Sequence, residues 1–116
     1  MPFNRGDVVL ALFPDSNLRT AKRRPALVVL ADDLDTGLPQ TIVAMITSNK
    51  LRAGHRSRVA IRCDSDRGRE MGLLTDSVIM TDNLATVRQE EIDRRIGTSS
   101  QMAEIDAALR ATLGLG

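Results

Sequence analysis

Pro25 stands between three cations and a run of aliphatic residues, in Lys22-Arg23-Arg24-Pro25-Ala26-Leu27-Val28-Val29-Leu30. An apolar run this short and this rich in valine reads as a strand buried on both faces rather than a helix. Proline is tolerated at the first residue of a strand, where its missing N–H costs least. It also drives the residue before it out of the helical region into extended geometry. The stretch predicts a core strand over 24–30 with Arg24 held stiffly at its mouth. Two further runs have the same character: Val8–Phe13, after the Gly6-Asp7 turn signal, and Thr41–Thr47, which ends on a hydroxyl.

Shorter elements fill the rest. Arg58-Val59-Ala60-Ile61 alternates and predicts a half-exposed strand with Val59 and Ile61 inward. Asp64–Gly72 suggests a helical turn. Asp76–Met80 and Leu84–Val87 read as two short strands separated by a Thr81-Asp82-Asn83 turn, and Gln89–Arg94 as one more helical turn. Met102, Ile105, Leu109 and Leu113 recur at spacings of three and four, giving one apolar helical stripe ended by Gly114. Thr98 and Gln101 have capping-box spacing ahead of it, with Ser99 and Ser100 as rival caps. Five or six strands and one terminal helix predict an α+β chain: a single domain over 1–116, built as a small, strongly bent β-barrel closed by that helix.

The chain has 116 residues, 42% of them hydrophobic and 27% charged, which suits a globular protein with one core. Aromatic residues make up only 2%, so stacking of bases on aromatic platforms is not expected. No apolar run reaches membrane-spanning length, and Met1–Asp7 lacks the apolar stretch of a signal peptide. With one cysteine, Cys63, no internal disulfide can form, and a reducing cytoplasm is the expected setting. The net charge of +1 is unevenly spread: residues 1–70 carry 12 Lys/Arg against 8 Asp/Glu, and residues 71–116 carry 4 against 7. The excess sits in Arg19, Lys22, Arg23 and Arg24, then in Lys50, Arg52, Arg56, Arg58 and Arg62. Two basic loops flanking apolar strands predict one patch for an anionic partner.

Metal chemistry finds no motif, because the single His55 and single Cys63 have no partners at ligand spacing. Nucleotide-binding and hydrolase fingerprints are equally lacking. His55 lies in the basic loop, where it is either a phosphate or acid–base residue or simply solvated. The strand ends are more informative. If the strands of 24–30 and 41–47 pair antiparallel, Arg24 comes to the same rim as Thr47, Ser48 and Asn49. A guanidinium, two hydroxyls and an amide with no carboxylate nearby in the sequence suit a phosphodiester. The alternative is that Thr47 and Ser48 only cap the strand end and start a turn.

Four segments in order resemble the MazF/PemK family of toxin endoribonucleases. They are Arg5-Gly6-Asp7-Val8-Val9; Arg24-Pro25-Ala26-Leu27-Val28; Ala44-Met45-Ile46-Thr47-Ser48; and Asp76-Ser77-Val78-Ile79 with Leu84-Ala85-Thr86-Val87. The resemblance covers nearly the whole chain. It implies an SH3-like barrel that forms a homodimer, and sequence-selective cleavage of single-stranded RNA without a metal or other cofactor. The 2′-hydroxyl would attack the adjacent phosphorus, leaving a 2′,3′-cyclic phosphate and a 5′-hydroxyl. The resemblance places the catalytic arginine on Arg24 and the catalytic threonine on Thr47. It places a general-base aspartate of one branch on Asp82, where a turn residue is the plain alternative.

Lys22, Arg23, Ser48, Asn49, Lys50, Arg52 and Arg56 are then the expected RNA-binding residues. Selectivity would reside in loops Pro14–Arg23 and Ser48–Ser57. The chain departs from the family at several points. Met80 and Leu18 replace an arginine and a histidine, Ala21-Lys22-Arg23 replace the acidic or glutamine residues before the R-P step, and Ala85 replaces an arginine. The resemblance also implies a protein partner, an antitoxin whose acidic tail covers the RNA groove. Two other classes remain beside the nuclease: a non-catalytic inhibitor of a protein such as gyrase, and a barrel that binds nucleic acid without cutting it.

Overall fold

The computed structural model describes residues 2–15 and 17–116. Met1, and Ser16 within the polar break after Pro14, lie outside the described residues. Six strands form one antiparallel sheet: β1 (Asp7–Pro14), β2 (Ala21–Val28), β3 (Gln40–Thr47), β4 (Arg58–Ile61), β5 (Ser77–Arg88) and β6 (Ile92–Thr98). A short helix α1 (Asp66–Glu70) follows β4, and α2 (Ala103–Leu113) ends the fold. The spatial order is β4-β5-β3-β2-β1-β6. Strands β4 and β6 are the two edges and do not pair, so the bent sheet is not closed into a complete barrel. Among the described residues, no helix is long and apolar enough to cross a membrane.

The unbroken apolar runs have a direct cause. Val8, Leu27 and Ala44 stand side by side across β1, β2 and β3, and their face is covered by Ile105 and Ala108 of α2. Val9, Ala26, Val28 and Val43 point the other way and gather with Phe13, Val87 and Ile92 in a second core. Successive side chains alternate between the two faces, and both faces are buried, so no polar alternation survives in these strands.

Several expectations need correction. Strand β2 begins at Ala21 rather than Arg24, because backbone pairing with β1 runs on through Phe13↔Lys22 and Pro14↔Ala21. Arg24 therefore sits inside a strand, not at its mouth. Pairing of β2 with β3 starts only at Ala26, so Pro25 lies where the strand has a neighbour on one side alone. The two short strands of 76–80 and 84–87 are one twelve-residue strand, β5. Thr81, Asp82 and Asn83 form a bulge within it, between the pairs Met45↔Met80 and Ala44↔Leu84.

Strand β6 was not legible as a strand because it pairs only with β1 and exposes Asp93, Arg94 and Arg95. Charges of this kind are how an edge strand resists pairing with another chain. Since Thr98 pairs with Asp7, it cannot cap α2; that helix starts from Met102 without a side-chain cap, and the Ser99 hydroxyl donates to the Gln101 carbonyl. The helix ends as expected at Gly114, whose φ of 69° is left-handed.

Candidate active site

A cleft of about 730 Å³ opens where β2 and β3 part. Its floor and walls come from the β1–β2 loop, β2, the end of β3 and the β5 bulge. Carrying the register of Ala26↔Met45 two residues further sets Arg24 opposite Thr47, beyond the last paired residues. Both line the cleft, with Lys22, Asn49 and Arg52 around them. Period-two alternation explains the selection within β2: Lys22 and Arg24 share the face of Ala26, whereas Arg23 points to the opposite face and does not line the cleft. Phe13, Met45, Met80 and Leu84 supply an apolar wall, and Asn83 closes it, its side-chain amide donating to the Met45 sulfur at 3.0 Å.

A carboxylate is present after all. Asp15 reaches Arg24 from the β1–β2 loop, with Nη2 of Arg24 donating to Oδ1 at 2.9 Å. The other oxygen, Oδ2, accepts from the Thr20 hydroxyl at 2.7 Å. These two bonds, Thr20 foremost, hold the Asp15 carboxyl below the usual carboxylate range. Asp15 is the only acid among the described residues lining the cleft, so Lys22, Arg24 and Arg52 leave it net positive. The Nε of Arg24 is shut away from solvent and has no hydrogen-bond partner among the described residues. Thr47 Oγ1 accepts from the Asn49 N–H at 3.1 Å, leaving its own proton free to donate into the cleft. Asn49 in turn accepts from the Leu51 N–H at 3.1 Å and starts a single 3₁₀ turn, Lys50–Arg52. The turn bond to Thr47 thus leaves the site reading open, since the same hydroxyl keeps a proton facing the cleft.

The remaining expected site residues are not brought together. Asp82 leaves the bulge in the direction away from the cleft and takes a two-point ion pair from Arg58, at 2.8 Å from Nη2 and 3.3 Å from Nε. Those hydrogen bonds hold its carboxyl below the usual range. With His55, Arg56 and Thr112 it lines a separate depression of about 240 Å³, so Arg56 is also outside the cleft. Lys50 turns to Asp76, 3.4 Å away, and Ser48 is exposed beside the cleft without lining it. His55 is occupied by Ser57, its Nδ1 accepting from the Ser57 N–H at 3.2 Å.

Sequence reasoning missed Asp15, Thr20 and Asn83. The first two carried a usable signal: hairpin pairing of Pro14 with Ala21 leaves Asp15 and Thr20 facing each other at the loop's neck, where the Asp15 N–H donates to the Thr20 carbonyl at 2.9 Å.

Residues 4–113 match the family described as "PemK-like, MazF-like toxin of type II toxin-antitoxin system". The chain belongs to that family. It is 33% identical over 119 residues to the curated "Endoribonuclease MazF2" of Mycobacterium bovis and to "Endoribonuclease MazF6" of Mycobacterium tuberculosis, spanning 99% of this chain and 100% of each relative. Among solved structures it is similar to an endoribonuclease in complex with its cognate antitoxin from a mycobacterial species. That match has a TM-score of 0.71 and 25% identity, covering 98% of this chain and 97% of the other. A MazF of Deinococcus radiodurans shares the fold at a TM-score of 0.71 and 19% identity, with 97% and 96% covered. The family is one of RNA-cleaving toxins.

Proposed function

We propose that this chain is a sequence-selective endoribonuclease toxin that cuts single-stranded RNA in the cleft of Arg24 and Thr47. The observation that carries the reading is their meeting in one net-positive cleft, in a chain of this family. RNA backbone would be drawn in by Lys22 and Arg52, while Asn49 keeps the Thr47 hydroxyl oriented. In the reaction, the 2′-oxygen loses its proton and bonds to phosphorus, the bond to the 5′-oxygen breaks, and that oxygen takes up a proton. The products are a 2′,3′-cyclic phosphate and a 5′-hydroxyl. Negative charge grows on the non-bridging oxygens as the fifth bond forms. Arg24 meets it with charge-assisted hydrogen bonds, and Thr47 donates to one oxygen; preorganised donors of this kind supply the largest share of many rate enhancements. No metal ion is needed in this scheme. Dependence on the 2′-hydroxyl makes DNA inert.

Asp82 has no part in this proposal, because Arg58 occupies its carboxylate in a different depression. Residues 1–116 would work as one domain, paired in a cytoplasmic homodimer. A cognate antitoxin would neutralise it by laying an acidic segment over Lys22, Arg24 and Arg52, and the mycobacterial relative in complex with its antitoxin supports such a partner.

The test is incubation of purified protein with a long single-stranded RNA in EDTA, beside R24A and T47A proteins. Discrete cuts by the unaltered chain alone are expected, with 5′ ends that accept phosphate directly from a polynucleotide kinase. Intact RNA with tight, salt-sensitive binding would overturn the nuclease reading in favour of a binding protein. Cleavage that survives both substitutions would overturn the site.

A further inference from the structure

Arg24 has one hydrogen-bond partner among the described residues, and that partner is Asp15. Its Nε has none. No other hydrogen bond among the described residues therefore fixes the plane of the guanidinium, and a long side chain with fewer anchors samples more rotamers. Asp15 is itself held from two sides. Its Oδ2 takes the Thr20 hydroxyl, and its backbone N–H takes the Thr20 carbonyl. The carboxylate is 15% exposed, against 33% for Arg24, so the anchor lies deeper than the group it anchors.

We infer that Asp15, latched by Thr20, is the positioning residue of this site: it sets the Arg24 guanidinium where the scissile phosphate docks. The inference rests on the nuclease reading above and adds two residues to it. Asp15 spends one N–H of Arg24 and leaves the remaining terminal N–H bonds for phosphate oxygens. Orienting the guanidinium before RNA arrives removes an ordering cost from the reaction, which is what precise placement contributes to catalysis. Asp15 also places a negative charge near an anionic substrate, so its removal has opposite effects on binding and on turnover. A base role fits poorly, since both carboxylate oxygens are already engaged.

The experiment compares the unaltered protein with D15N, T20V and the D15N/T20V double variant. D15N is expected to lower kcat about tenfold while KM stays level or falls. T20V is expected to lower kcat about threefold, and the double variant to be no slower than D15N, because both changes break one unit. A second readout does not depend on cleavage: the Arg24 Nε–H signal in ¹⁵N NMR should be sharp in the unaltered protein and broadened in D15N. A kcat within twofold in D15N, a raised KM with kcat kept, additive losses in the double variant, or an unchanged Nε–H signal would each overturn the inference. Should the unaltered protein cut no RNA, the nuclease reading falls and the NMR comparison still decides whether Asp15 fixes Arg24.

Discussion

Two Arg–Asp pairs flank the same stretch of sheet, and they are built to different standards. Arg58 and Asp82 meet at two points, and a third nitrogen of Arg58 donates to the Arg52 carbonyl at 3.2 Å. All three nitrogens of that guanidinium are engaged, and its pair ties the β5 bulge to β4 and to the basic loop. Arg24 and Asp15 meet at one point, and a buried nitrogen of Arg24 has no hydrogen-bond partner among the described residues. An unmet buried donor is a cost to the fold. The Arg58 pair ties elements together; under the proposed function, the Arg24 pair leaves terminal N–H groups for a phosphate.

The largest effect expected from that contrast is a crossed result for the two arginines. R24A should cut kcat/KM at least about 100-fold, near 3 kcal/mol of transition-state stabilisation, with Tm almost unmoved. R58A should do the reverse, lowering Tm by a few degrees and leaving cleavage within about threefold. Assays of both variants on one RNA, with calorimetry alongside, would break the comparison if the pattern did not cross. T47A comes next, with a loss of about 10- to 100-fold in kcat and no change in Tm, since only one donor to the phosphate is removed.

Smaller still is D82N. It is expected to keep kcat within about threefold and to cost about 1 kcal/mol at neutral pH, read by urea denaturation. A loss of several hundredfold in kcat would instead restore Asp82 as the proton acceptor. The smallest effect is the pH dependence of that gap. Because Arg58 lowers the Asp82 carboxyl in the folded state, its contribution is present above the ordinary carboxylate range and lost as pH falls through the lowered value. Stabilities of D82N and the unaltered protein should therefore converge below about pH 4. A gap that widens in acid would contradict the ion pair.

Much of the architecture was legible because the paired strands are buried on both faces, which writes them as unbroken aliphatic runs. Thr41–Thr47 and Arg58–Ile61 came out within one residue of β3 and β4. What failed has a common physical cause. The first half of β2, the bulge of β5 and the middle of β6 are held in the sheet largely by backbone pairing, with most side chains facing the cleft, solvent or a charge partner. Side-chain pattern carries no record of such pairing. The site divides along the same line. The meeting of Arg24 and Thr47 in one cleft was readable from antiparallel pairing of their strands, while the turn of Arg23 to the opposite face needed a known strand register. Asp15 stayed hidden because its relation to Arg24 is made by the hairpin, nine residues apart.

Strand β1, made first, takes its second neighbour from β6, made last: Asp7 waits for Thr98. Every residue lining the cleft lies between Phe13 and Ala85 and so precedes β6 in synthesis. A growing chain can thus hold all of the cleft's chemistry while one edge of β1 is still bare. Contacts between the ends of a chain carry the highest closure cost and form late, and bare strand edges are where nascent sheets misassociate. The timing of synthesis thus sets a window in which the unfinished sheet is exposed to other chains, and it closes only when the strand that contributes nothing to the cleft arrives.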